Sequence, residues 1–229
     1  MLTRRAVILM LALQGLSVPS AEAQVGQSDV SRDNLMVVVR ESIGANRQDD
    51  TFKPTGRVKA KLPDGKEIEF EMASWEFIGD THIRFVFDSP QTMRNATPQD
   101  LDKLGVRSVD EALALAMGNI KRVYGEPNTS PWEGGVFLVQ GKSPDLDSSY
   151  FLDRPFWQSM LKKYPEGVVV SVPKRGGLLF APLSDVKAVE GLKRAVASLH
   201  TSSGRLRVSG ALFLFKDDRW SVFQPAPKQ

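Results

Sequence analysis

The sequence contains no cysteine in 229 residues and only two histidines. The first absence removes disulfides, thiol nucleophiles and Cys-ligated metals together. The second leaves His82 and His200 as the whole supply of imidazole bases or ligands. Net charge is scarce as well: 30 Lys and Arg stand against 27 Asp and Glu, a formal +3. That excess is too small for the basic stripe of a nucleic-acid surface, so no nucleic-acid partner is expected. No stretch of the chain reaches the roughly 20 apolar residues that a membrane-crossing helix needs, so no integral membrane segment is expected in the mature chain.

What the N-terminus does carry is a targeting pattern. Arg4 and Arg5 precede an apolar run over Ala6–Leu13 that extends to about Val18. Ala21-Glu22-Ala23 then offers a small-residue cleavage site, which makes residues 1–23 an expected signal peptide and Gln24 the mature start. The removed piece holds Arg4, Arg5 and Glu22, leaving 28 basic and 26 acidic residues, a net +2. A periplasmic or secreted bacterial protein is expected. Without disulfides its stability must come from an apolar core, and about 206 residues are enough to bury one.

Periodicity divides the remainder. Residues 24–54 read as an extended N-terminal segment with one short strand, Leu35–Val39. Residues 55–225 read as an α+β domain, and 226–229 as a tail. Arg57–Leu62 and Glu67–Met72 alternate around Pro63-Asp64-Gly65, a hairpin whose proline presets the turn and whose Gly65 tolerates positive φ. Ile83–Phe87 is a strand. Thr97-Pro98 starts a short helix that Gly105 ends, and Ser108–Glu111 is a capping box for a second helix reaching Val123. Gly125–Gly134 reads as a loop, Val136–Val139 as a strand, and Tyr150–Leu152 as a segment pairing back onto it. Pro155 opens a short helix. Val168–Val172 and Leu178–Phe180 flank a basic connector and lead into a helix from about Ser184 to Leu199. Val208–Phe215 and Trp220–Phe223 form a last hairpin. Strand pairs separated by three to four helices predict a largely antiparallel sheet.

Candidate chemistry is sparse. No G-x-S-x-G elbow accompanies His82 or His200. Asp145-Leu146-Asp147-Ser148-Ser149 has alternating oxygens but lacks the glycine and closing glutamate of a calcium loop, so it reads as a solvated turn. Asp88, Asp100, Asp102, Glu111 and Asp153 are possible carboxylates for glycoside hydrolysis by number alone. Asp100, Asp102 and Glu111 already serve as helix-terminal charges. Trp132, Trp157 and Trp220 read as packing residues. The connector Lys174-Arg175-Gly176-Gly177 stands out, because two cations beside glycines can hold a carboxylate or phosphate. Arg94 is its expected companion if the two strand-turn-helix units pack side by side. A solvated, charged hairpin tip is the competing reading. No catalytic residue, metal or cofactor is assigned.

Several segments in order resemble the DUF1444 family of uncharacterised, YtpQ-like proteins. They are Asp33–Leu35 with Val39-Arg40; Phe85–Asp88 with Met93-Arg94 and Asp100–Gly105; Ala114–Ala116 with Asn119-Ile120 and Gly135–Phe137; Val170–Arg175 with Leu178–Phe180; and Leu212-Phe213 with Trp220 and Phe223. The resemblance covers most of residues 33–223 and implies a fold but no activity. Gly176 and Pro182 stand where members of that family often carry acidic residues. The combined expectation is an exported, non-catalytic binding or interaction domain of the cell envelope, taking an envelope protein or a small anionic ligand as partner. The alternative is an envelope-acting hydrolase with a carboxylate or Ser/His site.

Overall fold

The alternating apolar pattern resolves into three antiparallel sheets in a computed structural model that describes residues 30–227. The expected signal peptide lies outside the described residues. The strands are β1 (Leu35–Glu41), β2 (Lys53–Pro54), β3 (Arg57–Lys61), β4 (Glu67–Glu71), β5 (Ser74–Glu76), β6 (Thr81–Asp88), β7 (Met93–Asn95), β8 (Asn128–Pro131), β9 (Phe137–Gln140), β10 (Val168–Lys174), β11 (Gly177–Pro182), β12 (Leu212–Lys216) and β13 (Arg219–Gln224). The helices are α1 (Pro98–Lys103), α2 (Val109–Tyr124), α3 (Arg154–Lys163) and α4 (Val186–Ser202). This is the expected α+β class.

The first sheet runs β1-β6-β5-β2, with β7 also on β6. β1 pairs with β6 along its whole length, from Leu35 opposite Phe87 to Glu41 opposite Thr81. The N-terminal segment is thus built into the fold through β1. The second sheet runs β13-β12-β10-β11-β9-β8. Its central hairpin is buried on both faces, as continuous apolar strands must be. Val168, Val170, Val172, Leu178 and Phe180 join the main core with β1, β6, α2 and Trp157. Val169, Leu179 and Ala181 face Ala188, Val189, Leu192 and Val196 of α4. Burying each such large side chain contributes about 1.5–3 kcal/mol. The hairpin β3–β4 forms a third, two-stranded sheet, and Gly65 turns it at φ +84°.

Capping chemistry sets the helix ends. Thr97 Oγ1 accepts from Asp100 N, and Ser108 Oγ accepts from Glu111 N at 3.1 Å. α4 is capped by Asp185, which accepts from Ala188 N at 3.0 Å, and it continues past Leu199 to Ser202. Three expectations differ from the structure. Tyr150–Leu152 is no strand but part of a buried 3-10 turn over Asp147–Leu152. Trp157 Nε1 takes the Tyr150 and Phe151 carbonyls at 2.9 and 3.1 Å, so neither is left for a strand partner. Gly125–Gly134 contains β8, an edge strand that tolerates Pro131. The last hairpin begins at Leu212, because Val208–Gly210 bond instead to Pro173 O and the Asp80 carboxylate.

Candidate functional site

The basic connector is tied down, which the solvated-tip reading does not describe. The pairing of β10 with β11 shifts register between Ser171 and Lys174, where Pro173 cannot donate to the ladder. Pro173 O instead accepts from Val208 N, Arg175 N donates to Leu206 O, and Arg175 O accepts from Ser148 N at 2.9 Å. Gly176 makes room for the chain opposite: a Cβ there would lie 2.9 Å from Pro144 O. At Gly177 it would lie 2.8 Å from Lys174 Cγ. The glycines therefore serve close packing of the connector, and the half-buried Lys174 and Arg175 are carried on a fixed piece of backbone.

Arg94 is committed elsewhere. Its guanidinium lies 3.2 Å from Asp100 Oδ2 and sits over the Phe87 ring at 5.0 Å. Arg175 and Arg84 both lie close enough to Arg40 for their charges to act on it. Arg40 is paired across the sheet with His82, and Arg84 follows His82 by two residues, so these three side chains share one face at the end of the β1–β6 pair. Burial first, then the charges of Arg175 and Arg84, lower the Arg40 pKa to about 10. At neutral pH the Arg40 guanidinium remains charged. Arg40 donates to its neighbour's carbonyl, Val39 O, and Arg84 Nε donates to His82 Nε2 at 2.9 Å. Arg175 Nε is buried with no hydrogen-bond partner. Among the described residues none of the three forms an ion pair. The exposed Asp145, on the loop against Gly176, is the acid whose charge acts on Arg40.

His82 orients this group and is not a base. Because Arg84 Nε–H donates into Nε2, the ring proton must sit on Nδ1 and point at Ser42 Oγ, 2.9 Å away. A base acting on Ser42 would need that nitrogen free to accept. Burial first, then Arg84 and Arg40, push the imidazole down to about 4, so the neutral tautomer persists at physiological pH.

A second polar group lies on the opposite face of the same strand end. His200 Nε2 lies 2.9 Å from Glu41 Oε1, and Arg207 Nε lies 3.7 Å from Glu41 Oε2 as an ion pair without a hydrogen bond. Asp80 is buried, accepts from Ser209 Oγ at 2.5 Å and Gly210 N at 3.2 Å, and is pushed up mainly by burial. Ser209 is turned to Asp80, not to His200, so no nucleophile–base contact is made. Asp147 is buried and accepts from Gly141 N, which replaces the solvated turn read from the sequence. The other carboxylates are dispersed: Asp88 accepts from Tyr124, Glu111 from Arg107 N, and Asp153 faces Lys121 Nζ at 2.8 Å. Among the described residues no cluster of His, Asp and Glu suits a metal ion. Trp157 and Trp220 are core residues with ring centres 5.5 Å apart, while Trp132 is exposed.

No family model and no solved structure matches the chain. The chain is similar to a UPF0354 protein of Bacillus cytotoxicus. The two are 22% identical over 142 residues, which cover 62% of this chain and 52% of that protein. The chain thus spans about half the length of the UPF0354 relative. The name of that relative states no activity. The chemistry of the site rests on its geometry. Arg40 and Arg84 were missed as site residues in the sequence, although each is a cation beside or inside an apolar strand.

Proposed function

We propose that the protein is an exported, non-catalytic binding protein that holds a small anionic ligand between Arg40, Arg84 and Arg175. One observation carries this reading: the charges of two half-buried arginines, Arg84 and Arg175, act on a third, Arg40, and among the described residues no acid is ion-paired to any of them. Two like charges about 6 Å apart repel by about 3 kcal/mol at an effective dielectric near 20. A fold gathers such charges at a loss unless an anion offsets it, and planar guanidinium forks match carboxylate, sulfate and phosphate oxygens. Export is supported by Arg4, Arg5, the apolar run to Val18 and the Ala21-Glu22-Ala23 site.

The test is thermal unfolding of the purified chain with inorganic sulfate or phosphate at fixed ionic strength. A ligand at about 100 times its Kd adds about 2.7 kcal/mol to the folded state. The rise in melting temperature should vanish in Arg175→Gln and Arg84→Gln and persist in Arg94→Gln. No rise in the parent chain, or equal rises in all variants, would refute the reading.

A further inference from the structure

Resting on that reading, we infer that Asp145 sets the charge of the ligand, making the Arg40–Arg84–Arg175 cluster a net +2 site for a divalent oxyanion such as sulfate or a phosphate monoester. The loop carrying Asp145 is fixed against the connector. Pro144 O is the nearest atom to the Cβ position of Gly176, and Ser148 N donates to Arg175 O at 2.9 Å. Asp145 is thereby held on the connector's side of the site, exposed, with its charge acting on Arg40 and with no ion pair to the arginines among the described residues. It trims the local charge without occupying the guanidinium donors.

The other titratable neighbours do not change this balance. His82 is neutral and saturated by Arg84 and Ser42. Glu41 lies on the other face, engaged by His200 and Arg207. Lys174 lies against Gly177 and is bridged through its backbone to Arg207. Three cations and one nearby anion leave +2. Guanidinium groups alone, with no ammonium among the three, favour an anion whose oxygens can be gripped in pairs.

The charge rule yields a specific signature. Coulomb energy scales with ligand charge, so removing one fixed negative charge should multiply affinity by about fivefold for a monovalent anion and about twenty-five-fold for a divalent one. The experiment measures binding of nitrate, sulfate, glycerol phosphate and citrate by calorimetry at constant ionic strength, in the parent chain, Asp145→Asn and Arg175→Gln. The parent should bind sulfate at least about tenfold tighter than nitrate. Asp145→Asn should strengthen binding in steps that grow with ligand charge. Tighter binding of glycerol phosphate than of sulfate would place the dianion on an organic body, and equal binding would point to the free ion. If Asp145→Asn changes all anions alike, or nitrate competes equally with sulfate, the inference falls. Arg175→Gln separates that failure from failure of the site itself, since loss of all binding there keeps the site while the charge rule is abandoned.

Discussion

His82 should make the fold acid-labile in a window that ordinary carboxylate titration does not cover. The imidazole is held at about 4 against 6.5 in an unfolded chain, by burial first and then by Arg84 and Arg40. Between those values the unfolded chain binds a proton that the folded chain refuses. Stability from His82 is therefore fully present above pH 6.5 and is lost as pH falls toward 4; below 4 both states are protonated and the loss stops. A fall from 6.5 to about 4 corresponds to about 3 kcal/mol. Asp80 works in the opposite direction, because its raised carboxyl favours the fold as pH falls. Asp100, whose carboxyl is lowered despite burial by Thr97 and Arg94, loses stability only below the ordinary carboxylate range. The comparison must therefore be with a variant and not with an absolute profile. His82→Gln offers an acceptor to Arg84 and a donor to Ser42 without titrating. Urea unfolding at several pH values should show the parent losing about 3 kcal/mol more than His82→Gln across the window. Equal slopes for the two proteins would refute both the tautomer and the burial argument.

Four further outcomes follow from particular contacts. Arg175→Met keeps an apolar stem but removes a charge with a buried, unpartnered Nε; without added anion it should unfold at equal or higher urea than the parent, by up to about 1–3 kcal/mol, whereas a structural role for Arg175 requires a drop. Gly79→Ala should lower the melting temperature sharply, since Gly79 has φ +63° and its Cβ would fall 2.7 Å from Phe213 Cε1; an unchanged melting temperature would contradict that packing. Gly118→Ala should do the reverse and add about 0.5–1 kcal/mol in urea unfolding, because this helical glycine has open space where the methyl would stand. Trp157→Phe leaves the Tyr150 and Phe151 carbonyls without their indole donor and should cost about 1–3 kcal/mol by the same assay.

The scaffold was legible where local rules and burial agree. Val168–Val172 and Leu178–Phe180 are apolar throughout because both of their faces are covered, and Thr97 and Ser108 mark helix starts through side-chain caps that depend only on neighbours. The 3-10 turn at Asp147–Leu152 was illegible because its geometry is set by Trp157 Nε1 and by Ser149 Oγ donating to Val37 O, a contact from a distant strand. The site was half legible. Lys174–Gly177 announces itself as a basic, glycine-containing connector, but its relation to Arg40 and Arg84 requires knowing that the end of β1 pairs with the start of β6 and that Arg175 lies near Arg40. A cation closing LMVVVR or interrupting IRFVF is the local sign of something unusual, since a buried strand rarely gives a place to an unpaired arginine.

The end of β1 explains why two charged groups can sit so close without neutralising each other. Side chains of successive strand residues point to opposite faces, so Arg40 and Glu41 are kept apart by the sheet itself. Glu41 is drawn to His200 and Arg207 behind the sheet, while Arg40 faces His82 and Arg84 in front. Shifting the β1–β6 register by one residue would exchange them and set Arg40 against Arg207, a like-charge arrangement that the seven-residue pairing and the buried LMVVV run forbid. The register that builds the hydrophobic core is thus the same one that turns Glu41, the acid next in sequence, away from Arg40, and beyond the exposed Asp145 an anion from solution is the source of further negative charge for that face.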